Sequence, residues 1–144
     1  MQYFLNTYKE CRQAFREAVM RALVRFPDSK FETLDIGGDS GQIDAAFLRR
    51  KKKKTRRLVL LTSGVHGVEG FVGSAIQRKL LDDFKSGALT LRSDVLFLHG
   101  INPHGFKHWR RVNENNIDLN RNFYLKREKV PRREKNKGYR RLKS

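Results

Sequence analysis

The chain has 144 residues, with 32 Lys and Arg against 15 Asp and Glu, which gives a formal net charge of +17 at pH 7. This length suits one domain, and an apolar content of 38% is enough for a hydrophobic core. The single cysteine, Cys11, excludes a disulfide-stapled scaffold. Because no apolar run approaches the ~18 residues of a membrane span and the N-terminus lacks a signal-peptide pattern, we expect a soluble, cytoplasmic protein without membrane association.

The positive charge is concentrated in two short segments. Residues 49–57 (RRKKKKTRR) contain eight basic residues and no acidic one, and residues 126–144 contain ten basic residues and two acidic ones. Together they account for 16 of the 17 net charges, so the rest of the chain is close to neutral. Such segments predict weak, non-specific polyanion binding, and a small nucleic-acid-binding module is one hypothesis for the function. Only Tyr139 interrupts them with an aromatic ring, which argues against base stacking.

The first predicted elements are a helix and a strand. Apolar residues recur at three- and four-residue spacing over residues 7–26 and predict an amphipathic helix, with Asn6 as its N-cap and Pro27 ending it. Residues 31–36 alternate between apolar and polar types, as a half-buried strand does.

Two further apolar runs, residues 43–48 and 58–62, lie on either side of the basic segment. This layout predicts a hairpin whose turn is the basic segment, at a surface position. The second run, LVLLT, is apolar at nearly every position and indicates a central strand buried on both faces.

A predicted helix over residues 69–84 and a short buried strand over residues 95–98 follow. The order strand, helix, strand predicts a βαβ unit and therefore an α/β fold with a sheet that is parallel at its centre.

His66 and Glu69 have H-x-x-E spacing directly after the predicted strand 58–62, where ligands bind in open α/β sheets. A neutral imidazole and a carboxylate at this spacing can bind one Zn²⁺ if the turn brings them to the same side. A surface histidine beside a helix-starting glutamate is the simpler alternative. Ser63 lacks a Gly-x-Ser-x-Gly setting, and the glycines do not fit G-x-G-x-x-G, so a serine hydrolase and a dinucleotide-binding fold are not indicated.

A second polar cluster follows, with the motifs Asn-Pro-His-Gly at residues 102–105, Trp-Arg at 109–110 and Asp-Leu-Asn-Arg-Asn-Phe at 118–123. Asn and Arg in such a loop suit the binding of a carboxylate or an oxyanion, because a guanidinium binds planar anions bidentately. A polar loop that uses Asn and Asp for its turns is the alternative.

Taken together, four ordered stretches resemble the zinc carboxypeptidase superfamily, and most closely its bacterial branch of uncharacterised carboxypeptidase-like domains. They are TSGVHGVEGFVGS (62–74), INPHGF (101–106), RRVNENNIDLNRNF (110–123) and GYRRL (138–142), and the resemblance spans residues 5–142. It implies a three-layer α/β/α fold around a mixed, centrally parallel sheet, one catalytic zinc, and hydrolysis of peptides or acyl-amino acids.

The resemblance also implies roles for individual residues. His66 and Glu69 correspond to two zinc ligands, and Arg110 to the arginine that polarises the scissile carbonyl. Asn120 and Arg121 correspond to the pair that binds the terminal carboxylate of the substrate.

Other residues of the same motifs also affect these assignments. Asp118 and Asn122 are expected to brace the loop. Val68 stands where the superfamily usually has an arginine, which leaves amide or ester deacylation open as an alternative to peptide cleavage.

The resemblance implies a third zinc-binding histidine and a general-base glutamate further downstream, but the last histidine is His108. His99 and His104 are weak candidates to replace it. We therefore expect residues 1–125 to be the N-terminal part of a C-terminally truncated carboxypeptidase-like domain, with the basic tail 126–144 starting the missing half. Such a chain is expected to be inactive alone, and a degenerate non-catalytic domain is a further alternative.

Overall fold

The computed structural model describes residues 3–36, 41–50 and 57–122, which form an α/β fold with a mixed sheet. The α/β class and the mixed sheet expected from the sequence are confirmed. The basic tail 126–144 and most of the basic segment 49–57 lie outside the described residues. The elements in chain order are α1 (Tyr8–Leu23), β1 (Lys30–Asp35), β2 (Gln42–Leu48), β3 (Leu58–Thr62), α2 (Gly67–Ser86), β4 (Asp94–His99), α3 (Pro103–His108) and a 3-10 turn (Leu119–Arg121).

Helix α1 has its N-cap at Thr7, not at Asn6 as the sequence predicted. The Thr7 hydroxyl accepts a hydrogen bond from the Glu10 backbone N–H (3.2 Å), and the Glu10 carboxylate accepts one from the Thr7 N–H (3.0 Å). This reciprocal capping box satisfies two donors that a helix start otherwise leaves unpaired, which explains the choice of cap. The helix ends at Leu23, before Pro27.

The sheet has the strand order β1-β2-β4-β3. Strand β2 pairs antiparallel with both β1 and β4, whereas β3 and β4 are parallel and joined by α2, as the βαβ prediction requires. The predicted hairpin across the basic segment is wrong, because β4 lies between β2 and β3 and the actual hairpin is β1–β2. The prediction that β3 is central and buried is also wrong: β3 is an edge strand of the described sheet, and Leu58 and Leu60 are more than half exposed.

The helices pack together on one face of the sheet. Phe15 and Val19 of α1 and Leu81 of α2 form a core with side chains from β2 and β4. The opposite face is only partly buried, and no helix of the described residues covers it. The third layer implied by the resemblance is therefore not found within residues 3–36, 41–50 and 57–122. None of the helices described is long and apolar enough to cross a membrane.

Asp44 is a fully buried carboxylate on the helix-covered face of β2. It accepts hydrogen bonds from the guanidinium groups of Arg12 (Nε, 2.8 Å) and Arg16 (Nη2, 2.8 Å) and from the Thr33 hydroxyl (2.9 Å). Burial by itself raises the pKa of Asp44, but these hydrogen bonds outweigh it and hold the pKa at about 2. The ionised carboxylate thus fastens α1 to strands β1 and β2.

Candidate functional site

The candidate site lies where β3 ends and α2 begins. His66 is the N-cap residue of α2, and Glu69 belongs to the first turn of that helix. Gly64, in the turn that leads to His66, has a φ of 68°, in the left-handed region that a glycine adopts without strain. The predicted H-x-x-E pair therefore sits at the carboxyl end of a parallel strand, as expected for a ligand site in an α/β sheet.

The Asn-Pro-His-Gly motif has a clear structural role beside this turn. The Asn102 side-chain oxygen accepts a hydrogen bond from the Gly105 N–H (2.9 Å) and caps helix α3. The Asn102 amide also donates to the Val65 carbonyl (3.3 Å), and the Asn102 backbone N–H donates to the Gly64 carbonyl (2.8 Å). The motif thus caps one helix and holds the turn that carries His66.

Arg110 approaches the site through its backbone. The Arg110 carbonyl accepts a hydrogen bond from the Gly67 N–H (2.9 Å), and the Arg110 N–H donates to the Gly105 carbonyl (2.8 Å). A side chain at Gly67 would overlap with the carbonyl group of Gly105, so this close approach requires glycine. The Arg110 side chain is exposed. Trp109 precedes it with a φ of 59° and packs against Phe71, with ring centroids 4.8 Å apart.

The imidazole of His66 lies between two carboxylates. Its Nδ1 is 3.2 Å from Glu69 Oε2, and its Nε2 is 3.0 Å from Asp118 Oδ1. The other Asp118 oxygen accepts a hydrogen bond from Arg111 Nε (2.8 Å). The hydrogen bonds from Arg111 and from His66 hold the pKa of Asp118 well below its usual range.

His66 has a carboxylate facing each ring nitrogen. An ionised carboxylate only accepts hydrogen bonds, so a neutral imidazole donates its one proton to either Glu69 or Asp118 and leaves the lone pair of its other nitrogen facing carboxylate oxygens. A metal ion between Nδ1 and Glu69 would remove that unfavourable contact and leave the Nε2–H to donate to Asp118. Two ligand atoms of a tetrahedral zinc are about 3.3 Å apart at bond lengths of ~2.0–2.1 Å. The donor pair therefore fits two positions of a zinc site.

The donor set is nevertheless incomplete. Within the described parts of the chain, no group of three His, Cys, Asp or Glu side chains could hold a metal ion. Asp118 does not add a ligand to the pair, because it contacts the opposite nitrogen of His66. A carboxylate on the far nitrogen of a metal-binding histidine instead orients the ring and raises its basicity.

The loop after Trp109 places the remaining predicted residues near Asp118. The Asp118 carboxylate accepts a hydrogen bond from the Asn120 N–H (2.9 Å), and the Asn122 side-chain amide donates to the Asp118 carbonyl (3.1 Å). These contacts give Asp118 and Asn122 the bracing role expected for them. Asn120 and Arg121 are exposed, and the Arg121 guanidinium donates to the Asn120 carbonyl (3.2 Å). They are thus close to Asp118 in sequence, and both side chains are exposed to solvent.

The other candidate residues lie elsewhere. The Ser63 hydroxyl is buried and donates to the side-chain oxygen of Gln77 (3.0 Å). His99 is buried under the helices, 3.0 Å from the Ser74 hydroxyl and stacked on Phe15. His104 and His108 both lie on α3, with ring centroids 4.6 Å apart. None of these three histidines contacts His66, Glu69 or Asp118.

Sequence reasoning missed the contact between Asp118 and His66, since it assigned Asp118 only to loop bracing. A signal for the contact was present, because a metal-binding histidine regularly donates its second N–H to a carboxylate. The candidates for that carboxylate in the polar loop are Glu114 and Asp118. Only the fold decides that Asp118 is the partner.

The fold and the site define an α/β domain with a polar, histidine-centred cluster at the end of a parallel strand. The chain belongs to the family described as "Protein of unknown function (DUF2817)", whose model matches residues 4–144. This agrees with the uncharacterised branch that the motifs resemble. A comparison with curated proteins gave no significant match.

Proposed function

We propose that this chain carries half of a zinc hydrolase site, in which His66 and Glu69 are ligands and the substrate is a peptide or an acyl-amino acid. The observation that carries the proposal is the position of the His66 imidazole between two carboxylates, with Nδ1 facing Glu69 and Nε2 facing Asp118. The family is described as of unknown function, so membership in it does not support this activity. The proposal is supported by the imidazole of His66 and the carboxylate of Glu69, which are typical zinc ligands.

Each residue has a distinct part in the proposed site. Bound zinc would polarise the substrate carbonyl and make water a stronger nucleophile. His66 and Glu69 bind the metal, and Asp118 keeps the proton of His66 on Nε2. The backbone of Arg110 is held next to Gly67, and its exposed guanidinium is the group proposed to stabilise negative charge that develops on the carbonyl oxygen.

Asn120 and Arg121 are proposed to bind the terminal carboxylate of the substrate. Both are exposed and adjacent to Asp118, and an amide and a guanidinium together provide several donors for one carboxylate. Val68, between the two ligands, is an exposed apolar side chain. It supplies no positive charge there, so ester or amide deacylation remains a candidate reaction of the same site.

We expect the chain by itself to be nearly inactive. Catalytic zinc sites commonly have three protein ligands and an open position, and the described residues provide two ligands. Proton transfer also requires a positioned acid or base beyond the metal ligands. A zinc held by two ligands, without a positioned base among residues 3–36, 41–50 and 57–122, is expected to bind without efficient hydrolysis.

The test is a zinc titration by calorimetry at pH 7.5, with the His66→Ala chain beside the original one. The original chain is expected to bind one zinc weakly, and His66→Ala to lower the affinity at least tenfold, because one of two ligands is lost. Glu114→Gln is the control, since that exposed carboxylate lies outside the contacts around His66 and should leave the affinity unchanged. Equal affinities for all three chains, or no zinc binding by any, would contradict the proposal and favour a degenerate, non-catalytic domain.

A further inference from the structure

The carboxylate of Asp118 is held at both of its oxygens. Oδ2 accepts a hydrogen bond from Arg111 Nε (2.8 Å). Oδ1 accepts one from the Asn120 backbone N–H (2.9 Å) and lies 3.0 Å from His66 Nε2. The bond from the guanidinium is charge-assisted and therefore stronger than one between neutral groups. Because rotation of the carboxylate would break both bonds, Asp118 presents Oδ1 to His66 in a fixed direction.

The carboxylate on the other side of His66 has more freedom. Glu69 has one more rotatable side-chain bond than an aspartate has, and its contact with His66 Nδ1 (3.2 Å) is the longer of the two. An unfavourable contact between a lone pair of the ring and a carboxylate is therefore relieved more easily beside Glu69 than beside Asp118.

This difference decides where a neutral ring of His66 carries its proton. A neutral imidazole has one N–H and one lone pair, so it donates a hydrogen bond to one of the two carboxylates. A proton on Nδ1 would set the Nε2 lone pair against the fixed oxygen of Asp118. A proton on Nε2 satisfies that oxygen and leaves the unfavourable contact to Glu69, whose side chain can move.

We propose that Arg111 is a positioning residue for His66, which holds Asp118 in place and so keeps the ring proton on Nε2 and the lone pair on Nδ1. Arg111 acts through Asp118, because its guanidinium bonds to Oδ2 and the ring of His66 lies against Oδ1. This role rests on the proposed function in one respect, since Nδ1 is taken as the atom that binds zinc.

The backbone of the loop is held by contacts that do not involve the Arg111 side chain. The Asn113 N–H donates to the Ile117 carbonyl (3.0 Å), and the Arg121 N–H donates to the Asp118 carbonyl (3.0 Å). The Arg111 side chain is also partly exposed, so its replacement leaves no buried cavity. Arg111→Gln is therefore expected to keep the loop and to release the Asp118 carboxylate.

The charge of Arg111 and its hydrogen bond have opposite effects on a bound cation. A guanidinium near the metal repels it, so the loss of this charge by itself would strengthen zinc binding. Loss of the hydrogen bond allows the tautomer with a proton on Nδ1, and the apparent affinity then falls with the fraction of chains that can bind. A lower zinc affinity in Arg111→Gln would thus report the positioning of His66 and not the change in charge.

Nitrogen-15 NMR of the metal-free full chain at pH 9 tests the proposal on the neutral ring. Correlations between ring protons and ring nitrogens show which nitrogen of His66 carries the proton, and His66→Ala identifies its signals among the four histidines. We expect a proton on Nε2 in the original chain, and an increase of about threefold or more in the Nδ1-protonated fraction in Arg111→Gln. Arg92→Gln is the matched control, because this exposed arginine precedes β4, at the far end of the sheet, and undergoes the same change in charge.

Calorimetric zinc titrations of the same variants at pH 7.5 provide the second measurement. Arg111→Gln should lower the affinity about threefold, and it should cause no further loss in an Asp118→Asn chain, because both substitutions act through the same carboxylate. An Nδ1-protonated fraction that is equal in the original chain and in Arg111→Gln, or an equal change in Arg92→Gln, would overturn the role of Arg111 whether or not zinc binds. If the tautomer changes as expected but the original chain binds no zinc, the role of Arg111 holds and the proposed function fails.

Discussion

His66 Nε2 and Asp118 Oδ1 are 3.0 Å apart, although the two residues are separated by 52 positions in the sequence. The contact joins the start of α2 to the polar loop after α3. It also gives the imidazole a carboxylate on each side, since Glu69 faces Nδ1.

If His66 and Glu69 bind zinc as proposed, Asp118→Asn is expected to weaken that binding 10- to 100-fold without removing it, because the substitution removes the carboxylate that contacts His66 Nε2 and leaves both proposed ligands in place. The measurement is a calorimetric zinc titration at pH 7.5. Glu114→Gln is the control, since Glu114 is an exposed acid in the same loop and has the same charge change. An affinity unchanged in Asp118→Asn would show that Asp118 only braces the loop.

The stability of the protein should depend on His99 in weakly acidic solution. Burial lowers the pKa of His99 to about 4, against about 6.5 in an unfolded chain. Between these values the unfolded state binds a proton that the folded state excludes, so stability decreases as the pH falls from about 6.5 to 4. The total loss is about 3 kcal/mol, at 1.36 kcal/mol per pKa unit.

Urea unfolding between pH 4 and 7 measures this loss. His99→Gln should have a much flatter profile in that window, and His108→Gln should keep the original slope. The Asp44 carboxylate, with a pKa of about 2, contributes to the pH dependence only below about pH 5, and it does so equally in all three chains. Identical slopes for the original chain and His99→Gln would refute the assignment.

Asp44→Asn is expected to destabilise the fold by about 3 kcal/mol. The substitution removes the negative charge that two arginines share, and leaves Arg12 and Arg16 partly buried beside a neutral amide. Asp82→Asn removes the charge of a partly exposed carboxylate that pairs with Arg21 and accepts a hydrogen bond from Tyr3, and should cost about 1 kcal/mol or less. Chemical denaturation at pH 7 compares them, and similar losses in both variants would contradict the central role of Asp44.

Gly67→Ala should disturb both the fold and the site. The added Cβ overlaps with the Gly105 carbonyl, so the backbone contact with Arg110 must open, at a cost of about 1–3 kcal/mol. Thermal unfolding and the zinc titration should both be affected. Val68→Ala, at the next and exposed position, is the control and should change neither. A Gly67→Ala chain as stable as the original would mean that the start of α2 and the end of α3 are not tightly packed against each other.

The basic segments 49–57 and 126–144 predict non-specific binding of nucleic acid. Phosphate contacts release counterions, so the affinity should fall by orders of magnitude between 50 and 200 mM salt and should not depend on sequence. A retardation assay with duplexes of unrelated sequence measures both properties. Tight binding that persists at ~150 mM salt would instead support a dedicated nucleic-acid-binding module.

Local sequence patterns predicted most of the elements. The periodicity of residues 7–26 and 69–84 and the alternation in 31–36 depend on neighbours within a few positions, and the observed helices and strand lie close to those predicted ranges. The H-x-x-E pair needed only one turn to bring His66 and Glu69 together, so their proximity could also be predicted.

Contacts between distant parts of the chain could not be predicted in the same way. The apolar composition of β3 suggested a buried central strand, but the crossover through α2 places β4 between β2 and β3 and leaves β3 at the edge. The short basic segment between two apolar runs suggested a hairpin. That prediction was wrong because strands that are adjacent along the chain need not be adjacent in the sheet.

The sequence by itself therefore determined the α/β class, the approximate positions of the elements and the proximity of the two residues that we propose as zinc ligands, because these follow from short-range spacing. The tertiary structure decided which carboxylate meets the far nitrogen of His66, how Asp44 is neutralised in the interior, and which apolar strand is exposed. These depend on the strand order and on pairs tens of residues apart, which only the packed chain brings within hydrogen-bonding distance.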